Sequence, residues 1–254
     1  MSGIARVVII TGAASGIGAA AATRIAGPDT ALLLHTRGNR AGLEATAASA
    51  TARGSQVELV LGDLAVAETP ELLVSSARKA FGRVDQIVSN AGQAKRGGFG
   101  DIGIDDIERA FATMPIAFAR LVDSALPDLK ASEWGRVVAV SSFVAHNFGT
   151  AGLVFASTAA AKAALEALAG TLAFQLAALG TTVNCVAPGF TRKTAGGHSA
   201  APSGEARSPG YAATPSGRIA DPEDIAATIG FLLSRDAAHV TGQTIHVDGG
   251  LLLP

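Results

Sequence analysis

The sequence predicts an α/β fold: a doubly wound parallel sheet of seven strands flanked by helices, in a single domain over residues 1–254. Three observations carry this expectation. Short β-branched runs alternate with longer Ala/Leu-rich runs along the chain, the mark of repeated βαβ units. The strand candidates are apolar at nearly every position, as expected where both faces of a sheet are covered. The 254 residues are 48% hydrophobic and 16% charged, enough to fill one large core, and no linker-like break or internal repeat divides them.

The elements follow in order. Strand Val7–Ile10 runs into Thr11-Gly12-Ala13-Ala14-Ser15-Gly16-Ile17-Gly18 and a helix near Ile17–Ala26. Strand Ala31–His35 precedes helix Arg40–Arg53, and strand Val57–Leu61 precedes helix Pro70–Phe81. Strand Gln86–Ser89 leads to a long helix, Asp105–Lys130, and strand Val137–Val140 to another, Ser157–Leu179. In the latter, Leu165, Leu168, Leu172, Leu176 and Leu179 fall at steps of three and four, which predicts one apolar face. Strand Thr182–Val186, helix Pro222–Ser234 and strand Thr244–Val247 complete the pattern. Residues 192–217 are rich in Gly, Ala, Ser and Pro, with little periodicity. Such a segment after a strand is expected to cover the site of an α/β enzyme.

Composition narrows the function. Lys+Arg 20 against Asp+Glu 21 gives a net charge of -1 without a basic stripe, which argues against nucleic acid as a partner. One cysteine, Cys185, excludes an internal disulfide and fits a reducing compartment. The start of the chain lacks the apolar stretch of a signal peptide, and no run approaches the roughly 18 apolar residues of a membrane span. A cytoplasmic protein with no membrane partner and no metal site is expected.

The glycine turn follows a strand and opens a helix. Its glycines let the backbone approach a pyrophosphate, which then sits on the helix N-terminus. The spacing Gly-x3-Gly-x-Gly over Gly12, Gly16 and Gly18 resembles that of the short-chain dehydrogenase/reductase (SDR) family. The resemblance runs over nearly the whole chain. Asp63-Leu64 follows the third strand, where the family uses an aspartate to hold the adenine, and Ser89-Asn90-Ala91-Gly92 is similar to the family's Asn-Asn-Ala-Gly. Val183-Asn184-Cys185-Val186-Ala187-Pro188-Gly189 is similar to the segment against the nicotinamide. Val240-Thr241-Gly242-Gln243 and Val247-Asp248-Gly249-Gly250 match the C-terminal signature. The resemblance implies a Rossmann-type fold, a nicotinamide cofactor, a small-molecule substrate and a homo-oligomer, tetramer or dimer. Its interfaces would be the two long helices and the apolar tail Gly250-Leu251-Leu252-Leu253-Pro254. The implied cofactor contacts are Gly12, Ser15, Gly16, Ile17, Gly18, Asp63, Leu64, Asn90, Ala91, Gly92, Lys162, Pro188 and Gly189. Thr191 or Thr194 would hold the carboxamide, although Lys193 falls at the usual count.

Cofactor choice is read after the second strand. An acid there selects NAD, whereas arginine suits the 2′-phosphate of NADP. Thr36-Arg37, with Arg40 nearby and no acid, favours NADP(H) over NAD(H). Ser15 argues the other way, because NADP-using relatives often place a second basic residue there.

The family's reaction uses a tyrosine as proton donor, a lysine four residues later that lowers its pKa, a serine after the fifth strand and an asparagine in the preceding helix. Here the tetrad is degenerate. Ser142 and Lys162 fit their positions. Counting back from Lys162 gives Thr158 where tyrosine should stand, and counting forward from Ser142 gives Phe155. The segment Ser142–Lys162 therefore carries an apparent insertion. The Phe155–Lys162 spacing resembles that of enoyl-thioester reductases, which have tyrosine where this chain has phenylalanine. The asparagine position holds Met114, followed by Pro115, which is expected to keep a bend while losing the polar group. Tyr211, the only tyrosine, and His146 are candidate substitute donors.

Three readings stay open. The first is an NADP(H)-dependent oxidoreductase acting on a carbonyl, an alcohol or an activated C=C bond. The second is a catalytically impaired homologue that binds dinucleotide in a structural or sensing role. The third is non-redox lyase chemistry, such as halohydrin dehalogenation. Those relatives typically lose the glycine loop and replace the lysine, whereas this chain keeps Gly16 and Lys162.

Overall fold

The computed structural model describes residues 3–150, 152–192 and 213–253. Strands β1 (Arg6–Thr11), β2 (Thr30–Thr36), β3 (Gln56–Leu61), β4 (Gln86–Ser89), β5 (Arg136–Val140), β6 (Thr182–Pro188) and β7 (Thr244–Val247) form one sheet in the order β3-β2-β1-β4-β5-β6-β7. Every pairing is parallel. The helices are α1 (Gly16–Ile25), α2 (Arg40–Ala52), α3 (Thr69–Phe81), α4 (Ile104–Phe111), α5 (Ala117–Ala131), α6 (Ala156–Leu176) and α7 (Pro222–Leu232).

Alternate residues of each strand feed two cores. Val7, Ile9, Leu33, Ile87, Val137 and Ala139 face Leu73 of α3, Phe118 and Leu121 of α5, and Leu165 and Leu172 of α6. Val8, Ile10, Leu32, Leu34, Val88 and Val138 face Ala21 and Ile25 of α1, Leu43 of α2, and Ile225 and Ile229 of α7. The middles of the inner strands are therefore largely apolar, with buried polar groups such as Gln86, Arg136 and Asn184 set among them. The edge strands β3 and β7 are only partly buried. The order reverses between β1 and β4, and the crevice beyond their C-terminal ends is where ligands of open α/β sheets bind.

The structure corrects two helix expectations. The helix expected over Asp105–Lys130 is interrupted: a π turn at Ala112–Ile116 separates α4 from α5. Pro115 inside that turn has no N–H to donate, so the ladder changes register around it. On α6, Leu165, Leu172 and Leu176 are buried, but Leu168 is exposed and Leu179 lies in a terminal 3-10 turn, also exposed. By length and a mean hydropathy of 1.2, Ala156–Leu179 is long and apolar enough to cross a membrane. Instead it packs on β6 and carries Lys162, buried, on its inner face.

A third, smaller core lies beyond the sheet: Phe143, Val144, Phe155, Ala159, Phe190, Ile219 and Leu251. The apolar tail is thus split. Leu251 is buried and Leu252 packs against the same cluster, while Leu253 is 73% exposed.

Candidate active site

The first strand and the fourth are clamped together at the glycine turn. The Asn90 side chain donates to Thr11 O at 3.0 Å and to Gly12 O at 3.1 Å. Thr11 Oγ1 accepts from the N–H groups of Asn90 and Ala91, both at 3.0 Å. Gly12 (φ 68°) and Gly16 (φ 56°) adopt left-handed backbone that favours glycine. Gly18 is required by proximity: a Cβ there would lie 2.3 Å from Gly12 O. Ser15 makes no side-chain cap to α1.

From this turn a cavity of about 680 Å³ runs across the C-terminal ends of the strands. It brings together Gly12, Ser15, Gly16, Ile17, Arg37, Asp63, Leu64, Asn90, Ala91, Gly92, Ser142, Thr158, Lys162, Pro188, Gly189 and Thr191. Of the residues expected from the sequence, Gly18 and Phe155 do not line it. Gly18 acts from behind, by letting α1 approach Gly12. Phe155 caps the start of α6 with its ring buried in the third core, beside Phe143 and Phe190. The count from Ser142 therefore leads away from the cavity, and the count from Lys162 leads into it. The loop before α6 takes up the extra residues. Tyr211, Lys193 and Thr194 lie outside the described residues.

At the end of the cavity beside β2 and β3, Asp63 accepts from Ala65 N at 3.0 Å and pairs with Arg109 of α4 at 2.6 Å. Burial pushes its carboxyl up, but the Ala65 N–H and the Arg109 guanidinium outweigh that and hold it below the usual range. Arg40 pairs with Glu44 at 3.7 Å. Arg37 is exposed, lines the cavity and makes no ion pair among the described residues, although its charge acts on Asp63. His35 is buried beneath this end, with Nε2 2.9 Å from Gly62 O and Nδ1 unpartnered. Burial pushes its pKa down, with partial opposition from Gly62 O and Asp63.

At the other end, Lys162 is buried and donates to Val140 O at 2.5 Å. Burial pushes its ammonium down to about 8. Thr158, one turn earlier on the same face of α6, accepts from Lys95 N at 3.0 Å. Its hydroxyl hydrogen is not used in that bond and remains available as a donor. Ser142 lies two residues beyond β5, and its Oγ accepts from Val144 N at 3.4 Å while the residue also lines the cavity. Met114, in the π turn, reaches the spot where the asparagine is expected. A Cβ on Gly92 would lie 3.1 Å from Met114 Sδ and 3.3 Å from Lys162 Nζ. A thioether, at best a weak acceptor, thus flanks the lysine. His146 is turned from the cavity toward Glu166, at 3.0 Å. Gly189 must be glycine because β7 closes on it: a Cβ would lie 2.8 Å from Asp248 Cα.

Several lining residues were not singled out from sequence: His35, Lys95, Asp106, Arg109 and Ser157, whose buried hydroxyl has no partner. The loop after Gly92 and the outward face of α4 carry no motif, so only the fold brings Lys95, Asp106 and Arg109 to the rim.

Comparison with known proteins agrees with this geometry. The family model described as enoyl-(acyl carrier protein) reductase matches residues 12–252. An uncharacterized oxidoreductase of Methylorubrum extorquens is 33% identical over 247 residues, 97% of each chain. A 3-oxoacyl-(acyl-carrier-protein) reductase of Vibrio cholerae is 32% identical over 248 residues, 98% of each. A short-chain dehydrogenase from Burkholderia cenocepacia, solved in complex with NADP, superposes with a TM-score of 0.88 at 26% identity, covering 97% of this chain and 98% of that one. A cradle that only glycine can form, a lysine buried at the far end of the same crevice and matches that span almost the whole length converge: this chain belongs to the short-chain dehydrogenase/reductase family.

Proposed function

We propose that the chain is an NADP(H)-dependent oxidoreductase acting on a small carbonyl or alcohol substrate, with Lys162, Ser142 and Thr158 working without the family's tyrosine. One observation carries the reading: a continuous cavity joins the glycine cradle and Arg37 at one end to Ser142 and Lys162 at the other. Bound at the cradle, the nicotinamide would supply or take up a hydride. The chain's own residues then have separate tasks. Gly12, Ser15, Gly16 and Ile17 receive the pyrophosphate, and Asp63 and Leu64 the adenine. Arg37, with no carboxylate partner among the described residues, suits a 2′-phosphate, and the NADP found in the Burkholderia relative supports that preference. Asn90, Ala91, Gly92, Pro188, Gly189 and Thr191 shape the nicotinamide end.

Ser142 would hold the substrate oxygen, and Lys162 would hold the ribose and keep a positive charge beside that oxygen. Thr158 can donate a hydrogen bond but is a far weaker acid than tyrosine, whose pKa is about 10. Phe155 packs in the third core and does not line the cavity, which favours a carbonyl; an activated C=C bond stays the alternative substrate, in line with the enoyl reductase description of the matching family model. The relatives named as 3-oxoacyl reductases support a carbonyl substrate. The exposed apolar residues Leu168 and Phe174 on α6, the latter 88% exposed, support a homo-oligomer through this helix. The single, buried Cys185 fits residence in the cytoplasm.

The second reading, a dinucleotide-binding homologue without turnover, is favoured by Met114 and Thr158 alone. Fluorescence titration with NADPH and with NADH comes first, then NADPH oxidation with 3-oxoacyl thioesters and simple ketones, using Lys162→Ala as control. Lys162-dependent oxidation supports the reductase. Tight NADPH binding with no oxidation supports the second reading. No binding of either dinucleotide removes both.

A further inference from the structure

Beside Lys162, at the edge of the cavity that Ser141 also lines, side chains from three elements converge on one carboxylate. Glu166 lies one helical turn after Lys162 on α6, with its side chain 15% exposed. Ser141, at the end of β5, donates its hydroxyl to Glu166 Oε1. His146, on the loop that follows, meets the same oxygen at 3.0 Å. Thr244 Oγ1 of β7 reaches Oε2 at 3.3 Å. Beside them, Cys185 of β6 bonds Thr244, and the His246 ring stands edge-on to His146 with centroids 4.7 Å apart. None of these residues belongs to the family's tetrad.

Burial and the Glu166 charge push the Cys185 thiol up to about 12, so it is neutral near pH 7. Glu166 is therefore the anion whose charge reaches the Lys162 ammonium, from one helical turn away on α6 and without an ion pair to it among the described residues. A buried ammonium with a carbonyl partner needs such a charge to stay protonated. Three hydrogen bonds from separate elements hold the carboxylate in place. Ser141 ties it to the strand end that carries Ser142, and His146, 33% exposed, ties it to solvent. On the opposite side of Lys162, the polar group expected at the asparagine position is replaced by Met114.

We propose that Glu166 is a positioning residue for the reaction: it keeps Lys162 cationic and, through His146, gives the lysine its electrostatic link to solvent in place of the relay interrupted at Met114. Its role in turnover rests on the reductase reading above. The coupling between the two side chains does not.

The test follows the Lys162 side-chain carbon resonance against pH in protein isotopically labelled at lysine, with Lys162→Arg for assignment. Glu166→Gln keeps hydrogen-bonding capacity and removes only the charge, and is expected to lower the Lys162 midpoint by about one pH unit. Thr244→Val removes one bond to the carboxylate without removing charge, and should move the midpoint by less than about 0.3 unit. NADPH affinity is then titrated from pH 6.5 to 9. It should fall as Lys162 loses its proton, and the fall should move with the midpoint, leaving Glu166→Gln about threefold weaker at pH 7.5. An unmoved midpoint in Glu166→Gln overturns the proposal, as does an equal shift in Thr244→Val, which would mark a merely structural contact. If the unaltered protein binds no NADPH while the midpoint still shifts, the reductase reading falls and the coupling stands.

Discussion

The two ends of one cavity are built by different means. At the glycine-turn end backbone sets the shape: left-handed glycines, the Gly18–Gly12 approach and the Asn90 clamp, with Arg37 in no ion pair among the described residues. At the other end side chains set it: Lys162 and Ser142 line the cavity with Thr158, and Met114 lies beside Gly92. Binding geometry made by backbone is hard to lose piecemeal, because a single Cβ destroys it. Proton chemistry made by side chains can be removed one residue at a time while the fold stands.

The largest effect is expected from placing a phenol and an amide beside Lys162. Thr158→Tyr with Met114→Asn should raise ketone-dependent NADPH oxidation by about 10²–10⁴, the usual worth of general acid–base assistance. No gain in steady-state rate would mean that the two ends are not aligned for reduction. Next in size is damage to the glycine-turn end. Gly18→Ala places a carbon 2.3 Å from Gly12 O, and should weaken NADPH binding by more than about 100-fold, with about 2 kcal/mol lost from the fold. Wild-type affinity by fluorescence would show that the cradle is not the binding site.

Lys162→Met separates stability from function. The folded-state pKa of about 8 lies below the ordinary 10.5, so the charged form is disfavoured in the fold. That penalty is fully present below pH 8 and is relieved as pH rises toward 10.5, because the unfolded chain then holds more protons. At pH 7 it amounts to about 3 kcal/mol. Urea unfolding should therefore find Lys162→Met more stable than the parent at pH 7, with the advantage shrinking by pH 10, while NADPH binding weakens. A less stable variant at pH 7 would mean that the Val140 contact outweighs burial. The smallest effect is at Arg37. Arg37→Ala should weaken NADPH about tenfold and leave NADH unchanged; equal loss for both dinucleotides would reassign the residue to general steering.

Strand positions and the cradle were legible because they rest on local rules: period, turn chemistry and spacing after a strand. Thr158 and Lys162 were legible because α6 carries them one helical turn apart, and Ser142 because it follows directly on the apolar run of β5. What stayed hidden depends on chain paths that sequence does not encode locally. The insertion before α6 left Thr158 and Phe155 as rivals until the loop was seen to absorb it. The break in the helix over Asp105–Lys130 was foreshadowed by Pro115, but its form as a π turn was not. Lys95, Arg109 and Glu166 read as ordinary surface or helix charges, and only the packing of α4, α6 and β7 shows what each one faces.

The π turn at Ala112–Ile116 decides how the wall beside the lysine can be remodelled. It holds Met114 against Gly92, close to Lys162. The polarity of that wall therefore hangs on one side chain carried by a fixed backbone, and exchanging it leaves the architecture untouched.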